Sequence, residues 1–447
     1  MPLGDTIVAR STPYGYGGIA VVRLSGIDSL KILKKISRQI KTPVSRVAQK
    51  TRIYHKKNIL DETIVVCYTK PRSFTGEDMV EISCHGSPFI VDGIINECID
   101  LGARSAGPGE FTRRAFENGK IDLIQAESIA NTIAASSKAG LFNAISGLSG
   151  EMSNAIKGTA SDITELLSYC EHLLDVSDVD IQKDNKLYIS KKTSEINKKV
   201  LKLIENYDTC RVLTYGAIVV LAGKTNSGKS TLFNALVGNK RSIVNKAAGT
   251  TRDYVDANIS ISGVPIRLVD TAGVRRSKST IESAGIDNSI MLIEKADVVC
   301  LVRDVSVKND TYVVDIIKLK NDNIIYINNK LDLIKKVDYK KKKDLYMYIS
   351  AINQTGISSL KRAILQQLNV EKIPNKLSGV STPRQYECIA DCIKSLANTN
   401  NKIKNGFQLE LICYELENAL RSVNSLLGVE TEDLVLNNMF NSFCVGK

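Results

Sequence analysis

The nine residues GKTNSGKST, Gly223 to Thr231, constrain this chain more than any other stretch. They match G-x-x-x-x-G-K-[ST], follow the apolar run Ala217–Ala222, and open a helical stretch. A strand that passes into a helix through such a loop turns its backbone N–H groups onto phosphate oxygens. Glycine lets the chain wrap closely, Lys229 reaches the β- and γ-oxygens, and the Ser230 hydroxyl suits Mg²⁺. Contacts with the phosphates therefore fall on Asn226, Ser227, Gly228, Lys229, Ser230 and Thr231.

Around this loop, short apolar strands alternate with helical stretches: Ile266–Val269, Val298–Val302, Ile324–Asn328 and Leu345–Ile349. That rhythm predicts a mostly parallel, doubly wound sheet. Asp256 to Ser262 alternates strictly and predicts an antiparallel edge strand. Further elements follow in order. DTAG (Asp270, Thr271, Ala272, Gly273) ends an apolar strand, where Asp270 can hold the metal's shell and Gly273 can sense a γ-phosphate. Thr250 and Thr251 lie in the loop between, where a hydroxyl completes Mg²⁺ coordination. NKLD (Asn329, Lys330, Asp332) ends the next strand but one, and Ser350-Ala351 follows the last. The Asp332 carboxylate can accept two hydrogen bonds from guanine N1 and N2, a pair that adenine does not offer. Such bonds are worth roughly 1.5–3 kcal/mol each when desolvated, so the ligand expected is GTP or GDP.

Hydrolysis needs a group that positions water, commonly a glutamine directly after the DxxG element. Here that place holds Val274, which neither donates nor accepts. The nearby carboxylate is Glu282, which reads from the residues alone either as that group or as a plain helix-start glutamate.

The chain is long enough for two to four domains. Residues 1–118 read as mixed α/β, with β-rich runs at Ile19–Leu24, Thr63–Tyr68 and Val80–Cys84. Residues 119–210 turn helical, with Leu141, Ile145, Leu148, Met152 and Ile156 at helical spacing. Residues 211–372 hold the nucleotide motifs, and 373–447 are helical again. The fold class expected is multidomain: an N-terminal α+β domain, then an all-α bundle interrupted by an inserted α/β domain.

The 60 basic and 48 acidic side chains leave a net charge of +12, which suits polyanions without naming one. The lysine run from Lys335 to Lys343 reads as a solvated loop. Ten cysteines without a CxxC pair, beside three histidines, argue for reduced thiols rather than zinc or disulfides. No signal peptide and no apolar stretch of about 20 residues is visible, so the expectation is a cytoplasmic protein away from membranes. The ending FCVGK puts Cys444 at the fourth position from the end, but Gly446 and Lys447 fit a prenylation box badly.

Four further blocks carry a resemblance: DTIVAR with GGIAVVRLSG near the start, SFTGEDMVEISCHG (Ser73–Gly86), GEFTRRAFENGKIDLIQAE (Gly109–Glu127), and FCVGK. Together with the nucleotide motifs they make the whole chain similar to the MnmE (TrmE) family of tRNA-modification GTPases. The resemblance implies an N-terminal folate-binding domain that dimerises, and a helical domain carrying the inserted G domain. It implies K⁺-dependent GTP hydrolysis and a heterotetramer with the FAD-dependent partner MnmG (GidA). Together these place a carboxymethylaminomethyl or aminomethyl group on C5 of the wobble uridine of certain tRNAs. The one-carbon unit would come from a tetrahydrofolate derivative, 5-formyl or 5,10-methylene.

By matching motifs, folate contacts fall on Arg23, Glu81, Lys120 and Lys447, and the tail returns Cys444 to that site, for chemistry or for packing. Thr431 is then expected to cap the last helix, with Leu434, Val435, Met439 and Phe443 on its packed face. K⁺ would lie between Asn226 of the phosphate loop and Asn245, Ala247 and Thr250 of a second loop (Asn245, Lys246, Ala247, Ala248, Gly249, Thr250) that also borders the nucleotide. Many relatives carry Thr in place of Asn245, and glycine often stands where this chain has Ser87. The family's water-positioning glutamate falls on Glu282.

Two other readings share the nucleotide motifs. A ribosome-assembly GTPase switch would append an RNA-binding module such as a KH domain, which nothing here resembles, and leaves residues 1–120 and the tail unexplained. A membrane-acting GTPase would need a lipid anchor or an interfacial basic helix.

Overall fold

The computed structural model describes residues 4–175, 183–238, 255–271, 291–307, 322–334, 346–371 and 379–447. The chain divides into two compact units, one built from Met1–Ala130, Leu148–Lys186 and Asn401–Lys447, the other from Asn131–Gly147 and Leu187–Asn400.

The first unit opens with β1 (Ile7–Arg10), β2 (Gly17–Ser25), α1 (Ser29–Ser37), β3 (Ala48–His55), β4 (Asn58–Tyr68), β5 (Met79–Gly86), α2 (Pro88–Asp100), β6 (Arg104–Ser105) and α3 (Glu110–Glu117). Its six-stranded sheet runs β3-β4-β5-β2-β1-β6, antiparallel except where β1 meets β6. Period-2 alternation divides the strands between two faces. Val8, Val22, Leu24, Val80 and Ile82 pack with residues of α1 and α2 on one face. Ile7 and Ala9 meet Phe111 of α3 on the other, the face that carries Arg23 and Glu81.

The chain continues through α4 (Leu123–Ala134), α5 (Lys138–Leu148), α6 (Glu151–Asp175), α7 (Lys183–Ile204) and α8 (Tyr207–Tyr215). The sequence reads Leu141 to Ile156 as one helical face. The structure breaks it between α5 and α6, where Gly150 takes φ +84°. Ile145 is 45% exposed and Leu148 37%, whereas Met152 and Ile156 of α6 are buried. In the first unit α6 packs along the helix Leu409–Leu427, which buries Ile412, Leu416, Ala419, Val423 and Leu426 at helical spacing.

In the second unit β7 (Ala217–Ala222), α9 (Lys229–Val237), β8 (Val255–Ile261), β9 (Val264–Asp270), β10 (Val298–Asp304), β11 (Ile324–Asn329) and β12 (Tyr346–Tyr348) build a sheet ordered β12-β11-β10-β7-β9-β8. All pairs are parallel except β8–β9. That hairpin closes through Ser262-Gly263, both at positive φ, as a two-residue turn requires. Every strand expected from the sequence is present, and β8 is the antiparallel edge.

One expectation about the last helix is corrected. It spans Asp433–Asn441 with Glu432, not Thr431, at the N-cap. The Thr431 hydroxyl donates instead to the Ser425 carbonyl at 3.2 Å, closing the preceding helix, so the last one starts later. Its packed face moves accordingly. Leu436 and Phe440 join Met439 and Phe443 against Leu123 and Ala126, while Leu434 is 66% and Val435 37% exposed.

Candidate functional site

In the second unit the phosphate loop is tied directly to the base-reading motif. Asn329, buried at the end of β11, donates from its amide to the Ser227 carbonyl at 3.1 Å and accepts from the Ala351 N–H at 3.1 Å. The amide therefore joins the ends of three expected elements: the loop, NKLD, and Ser350-Ala351. Asp332 accepts from the Ser350 hydroxyl at 2.5 Å, and that hydroxyl accepts from the Asn353 N–H at 3.2 Å. Lys330 adopts φ +67° and reaches Asp304 at 2.6 Å. Burial alone would raise the Asp304 carboxyl, but hydrogen bonds from Lys330 and Ser306 outweigh it and hold it below the usual range.

Lys229, the first residue of α9, is buried, and its ammonium donates to the carbonyls of Gly223 at 2.8 Å and Lys224 at 2.6 Å. Ser230 Oγ donates to Asp270 Oδ2 at 2.9 Å, so the hydroxyl and carboxylate expected around Mg²⁺ share one point. Both are hard oxygen donors, the set that Mg²⁺ prefers. Thr271 faces elsewhere, donating to the Leu221 carbonyl at 2.9 Å. Asn226 and Thr231 are exposed, and Asn226 holds φ +64°. Among the described residues the buried Ser227 hydroxyl has no hydrogen-bond partner. Asn245, Lys246, Ala247, Ala248, Gly249, Thr250, Thr251, Ala272, Gly273 and Glu282 lie outside the described residues.

A second site lies on the open face of the N-terminal sheet, where Arg23 of β2 and Glu81 of β5 are direct cross-strand partners. Arg23 Nε and Nη2 both donate to Glu81 Oε1, at 2.9 and 2.6 Å, and the Tyr68 hydroxyl donates to Oε2 at 3.4 Å. The guanidinium sits 5.9 Å from the Phe74 ring centroid and 5.8 Å from that of Phe111. Its remaining nitrogen, Nη1, donates to the Gly446 carbonyl at 3.4 Å.

The tail is thus docked rather than frayed. Gly109 N–H donates to the Cys444 carbonyl at 3.3 Å, and Phe111 N–H donates to a main-chain oxygen of Lys447 at 3.2 Å. Val445 bridges Pro108, and the Ser11 hydroxyl donates to the Gly446 carbonyl at 3.0 Å. Phe443 is buried, whereas the Cys444 side chain is exposed. Arg23, Glu81 and the tail backbone meet. Lys120 is held separately, its ammonium on the Pro71 carbonyl at 3.0 Å.

Sequence reasoning missed an ionic cluster in the same unit, centred on the buried Glu110 and Arg114. Arg114 of α3 reaches Asp5 at 2.5 Å, Glu77 at 3.1 Å and Glu110 at 3.3 Å, and Arg104 reaches Glu110 at 2.6 Å and Asp5 at 2.8 Å. The Glu110 side chain is 1% exposed. Burial would raise its carboxyl, but hydrogen bonds from Arg104 and the Gly107 N–H, with the charges of both arginines, hold it low. The i,i+4 spacing of Glu110 and Arg114 was the available signal.

Comparison with known proteins gives the family of the whole chain. Residues 6–120 match the family model described as the GTP-binding protein TrmE N-terminus, and residues 123–444 match the MnmE helical domain. The tRNA modification GTPase MnmE of Francisella tularensis subsp. holarctica is 38% identical over 459 aligned residues, covering 99% of each chain. That of Francisella philomiragia subsp. philomiragia is also 38% identical, with 99% of each covered. Among solved structures, the G domain of the T. maritima FeoB iron transporter is 27% identical with a TM-score of 0.27, covering 34% of this chain and 98% of that one. An Aquifex aeolicus Era variant bound to GDP and AlF4⁻ is 27% identical with a TM-score of 0.28, covering 40% and 66%.

Proposed function

The chain belongs to the MnmE (TrmE) family of tRNA modification GTPases, and from that membership we propose what each of its two sites does. The second unit binds and hydrolyses GTP. The first binds a tetrahydrofolate derivative, 5-formyl or 5,10-methylene, which supplies the one-carbon unit. With the FAD-carrying partner MnmG, a homodimer of this chain places an aminomethyl or carboxymethylaminomethyl group on C5 of the wobble uridine of tRNA.

The observation that supports this reading is the contact between Arg23 and the Gly446 carbonyl, 423 residues away in sequence. A GTPase switch alone gives no reason to carry its C-terminus back to an arginine–glutamate pair. Glu81, fixed by two Arg23 nitrogens, presents a carboxylate to the N–H edge of a pterin, and Arg23 orients it. Lys120 and Lys447 supply positive charge for the anionic glutamate tail, and Cys444 borders the site from its exposed side.

In the nucleotide site Asp332 reads the guanine edge, kept in place by Ser350, and Lys229 exchanges loop carbonyls for phosphate oxygens. Ser230, Asp270 and Thr251 would hold Mg²⁺, and Asn226, Asn245, Ala247 and Thr250 would hold K⁺. When bound, these cations neutralise charge on the transferring phosphoryl group. Glu282 orients the attacking water in place of the missing glutamine at Val274. We assign residues 1–118 to the folate and dimerisation domain, 119–210 and 373–447 to the helical domain, and 211–372 to the G domain. No helix among the described residues is long and apolar enough to cross a membrane.

Mass spectrometry of wobble uridines tests the reading. Cells lacking this protein should lose the C5 aminomethyl-type group, and unchanged nucleosides would overturn it.

A further inference from the structure

Helix α7 separates charge more sharply than the other long helices. Its sequence, KDNKLYISKKTSEINKKVLKLI, carries seven lysines against two carboxylates. The sequence of α6 carries five carboxylates and one lysine, and the helix Leu409–Leu427 three carboxylates and one arginine. Ile189, Thr193, Ile196 and Val200, at i, i+4, i+7 and i+11, are all buried. At 100° per residue, Lys191, Glu195, Lys198 and Lys202 form the diametrically opposite stripe, and all four are exposed. Among the described residues the three lysines form no ion pair. Lys192, on the flank, lies 6.0 Å from the Tyr188 ring centroid.

We propose that this stripe of α7 docks the phosphodiester backbone of tRNA. The inference rests on the family's tRNA-modifying role and goes beyond it by naming a surface. Lys191 to Lys202 spans about 16 Å of helix, so the backbone already sets three flexible ammonium-bearing side chains along one line toward a polyanion. Releasing the polymer's counterions then drives association. An acidic protein partner fits less well, because lysine is depleted in the buried centre of protein interfaces. Here Lys198 shares the centre of the stripe with Glu195, and lysines stand at both ends.

The test titrates unfractionated tRNA against the full-length chain by fluorescence anisotropy across a salt series. Lys191→Gln, Lys198→Gln and Lys202→Gln combined should weaken binding by about tenfold or more near physiological salt. The log–log salt slope should become shallower by about two to three. The triple arginine variant should restore both, which separates lost charge from a damaged helix. GTP turnover, measured in parallel, should stay at the wild-type rate. Unchanged affinity and slope would overturn the proposal, as would a wild-type chain that binds no tRNA. Selective loss of MnmG binding with tRNA affinity intact would reassign the stripe to the protein partner. If the wild-type gene restores wobble modification in deficient cells while the glutamine variant binds tRNA normally, the docking surface alone is wrong. If even the wild-type gene restores nothing, the family reading fails first.

Discussion

Asn329 stands so close to Gly228 that a Cβ on the glycine would come within 2.3 Å of the asparagine's amide nitrogen. Gly228 also holds φ +89°, a conformation that L side chains rarely adopt. The loop Gly223–Thr231 and the NKLD segment are therefore in direct contact, fitted together through a missing side chain. Gly228→Ala should push Asn329 off the Ser227 carbonyl and cost roughly 2 kcal/mol or more of stability. Nucleotide affinity should fall with it. Denaturant unfolding paired with titration of a fluorescent GDP would check both, and an alanine variant with wild-type stability and affinity would refute the coupling.

Asp332 is exposed, and among the described residues it is held by the Ser350 hydroxyl through one oxygen, Oδ1, which leaves Oδ2 to meet a base. Asp332→Asn should weaken GTP binding and let xanthosine triphosphate compete, because the amide presents a donor to the altered base edge. Calorimetry with both nucleotides decides it. Unchanged guanine selectivity would remove Asp332 from base recognition.

The nucleotide site was legible because its chemistry is local. Ser230, Asp270, Asn329 and Asp332 each sit at a strand or helix end that periodicity locates, and a parallel sheet aligns those ends. The N-terminal sheet was legible as strands, but its ionic cluster was not. Asp5, Glu77, Arg104 and Arg114 come from separate segments, and the pairing of β1 with β2 and β6, of β2 with β5, and the placement of α3 assemble them. The N-cap of the last helix was misplaced by one residue because Thr431 has a better use for its hydroxyl, closing the helix before it. A good capping residue guarantees a hydrogen bond, not which helix receives it.

GTP turnover should be faster in KCl than in NaCl at equal ionic strength. Val274 supplies no polar group, and the loop expected to bind K⁺ begins with Asn245. Glu282→Ala should lower kcat far more than GTP affinity, since water positioning matters chiefly in the transition state. Equal rates in the two salts would remove the potassium mechanism, and an affinity loss matching the loss of kcat would remove Glu282 from water positioning.

Acid should destabilise the first unit through Glu110. Its carboxyl is held below the usual 4.5, so the unfolded chain binds that proton more readily than the folded one. Stability from this group is therefore complete above about 4.5 and lost as pH falls through the folded value. Glu110→Gln should cost roughly 1–3 kcal/mol at neutral pH, because Arg114 loses a buried partner while Arg104, 43% exposed, is partly hydrated and both keep Asp5. The gap between variant and wild type should narrow in acid. Chemical denaturation of both at several pH values would show this, and a gap that stays constant down to pH 3 would exclude Glu110 as the titrating group.

The tail offers the sharpest separation between fold and chemistry. Gly446 holds φ +87°, and a Cβ there would meet the Arg10 carbonyl at 2.1 Å. Gly446→Ala should therefore lift the tail off β1 and release Arg23 Nη1 without touching any side chain at the site. Cys444 is the opposite case, since its carbonyl holds Gly109 while its thiol is exposed. Cys444→Ser should leave the tail docked and test the sulfur alone. Deleting Phe443–Lys447 removes the latch and the buried Phe443 ring together, and should abolish tRNA modification. None of the three should change GTP affinity or basal hydrolysis greatly, because the phosphate loop belongs to the other unit. Folate binding by calorimetry, read beside tRNA modification, sorts the outcomes. If Gly446→Ala loses folate and Cys444→Ser keeps it, the tail acts by position. If Cys444→Ser keeps folate but loses modification, the thiol takes part in the chemistry. Should the truncated chain bind folate and modify tRNA normally, the contact from Arg23 to Gly446 has no functional weight.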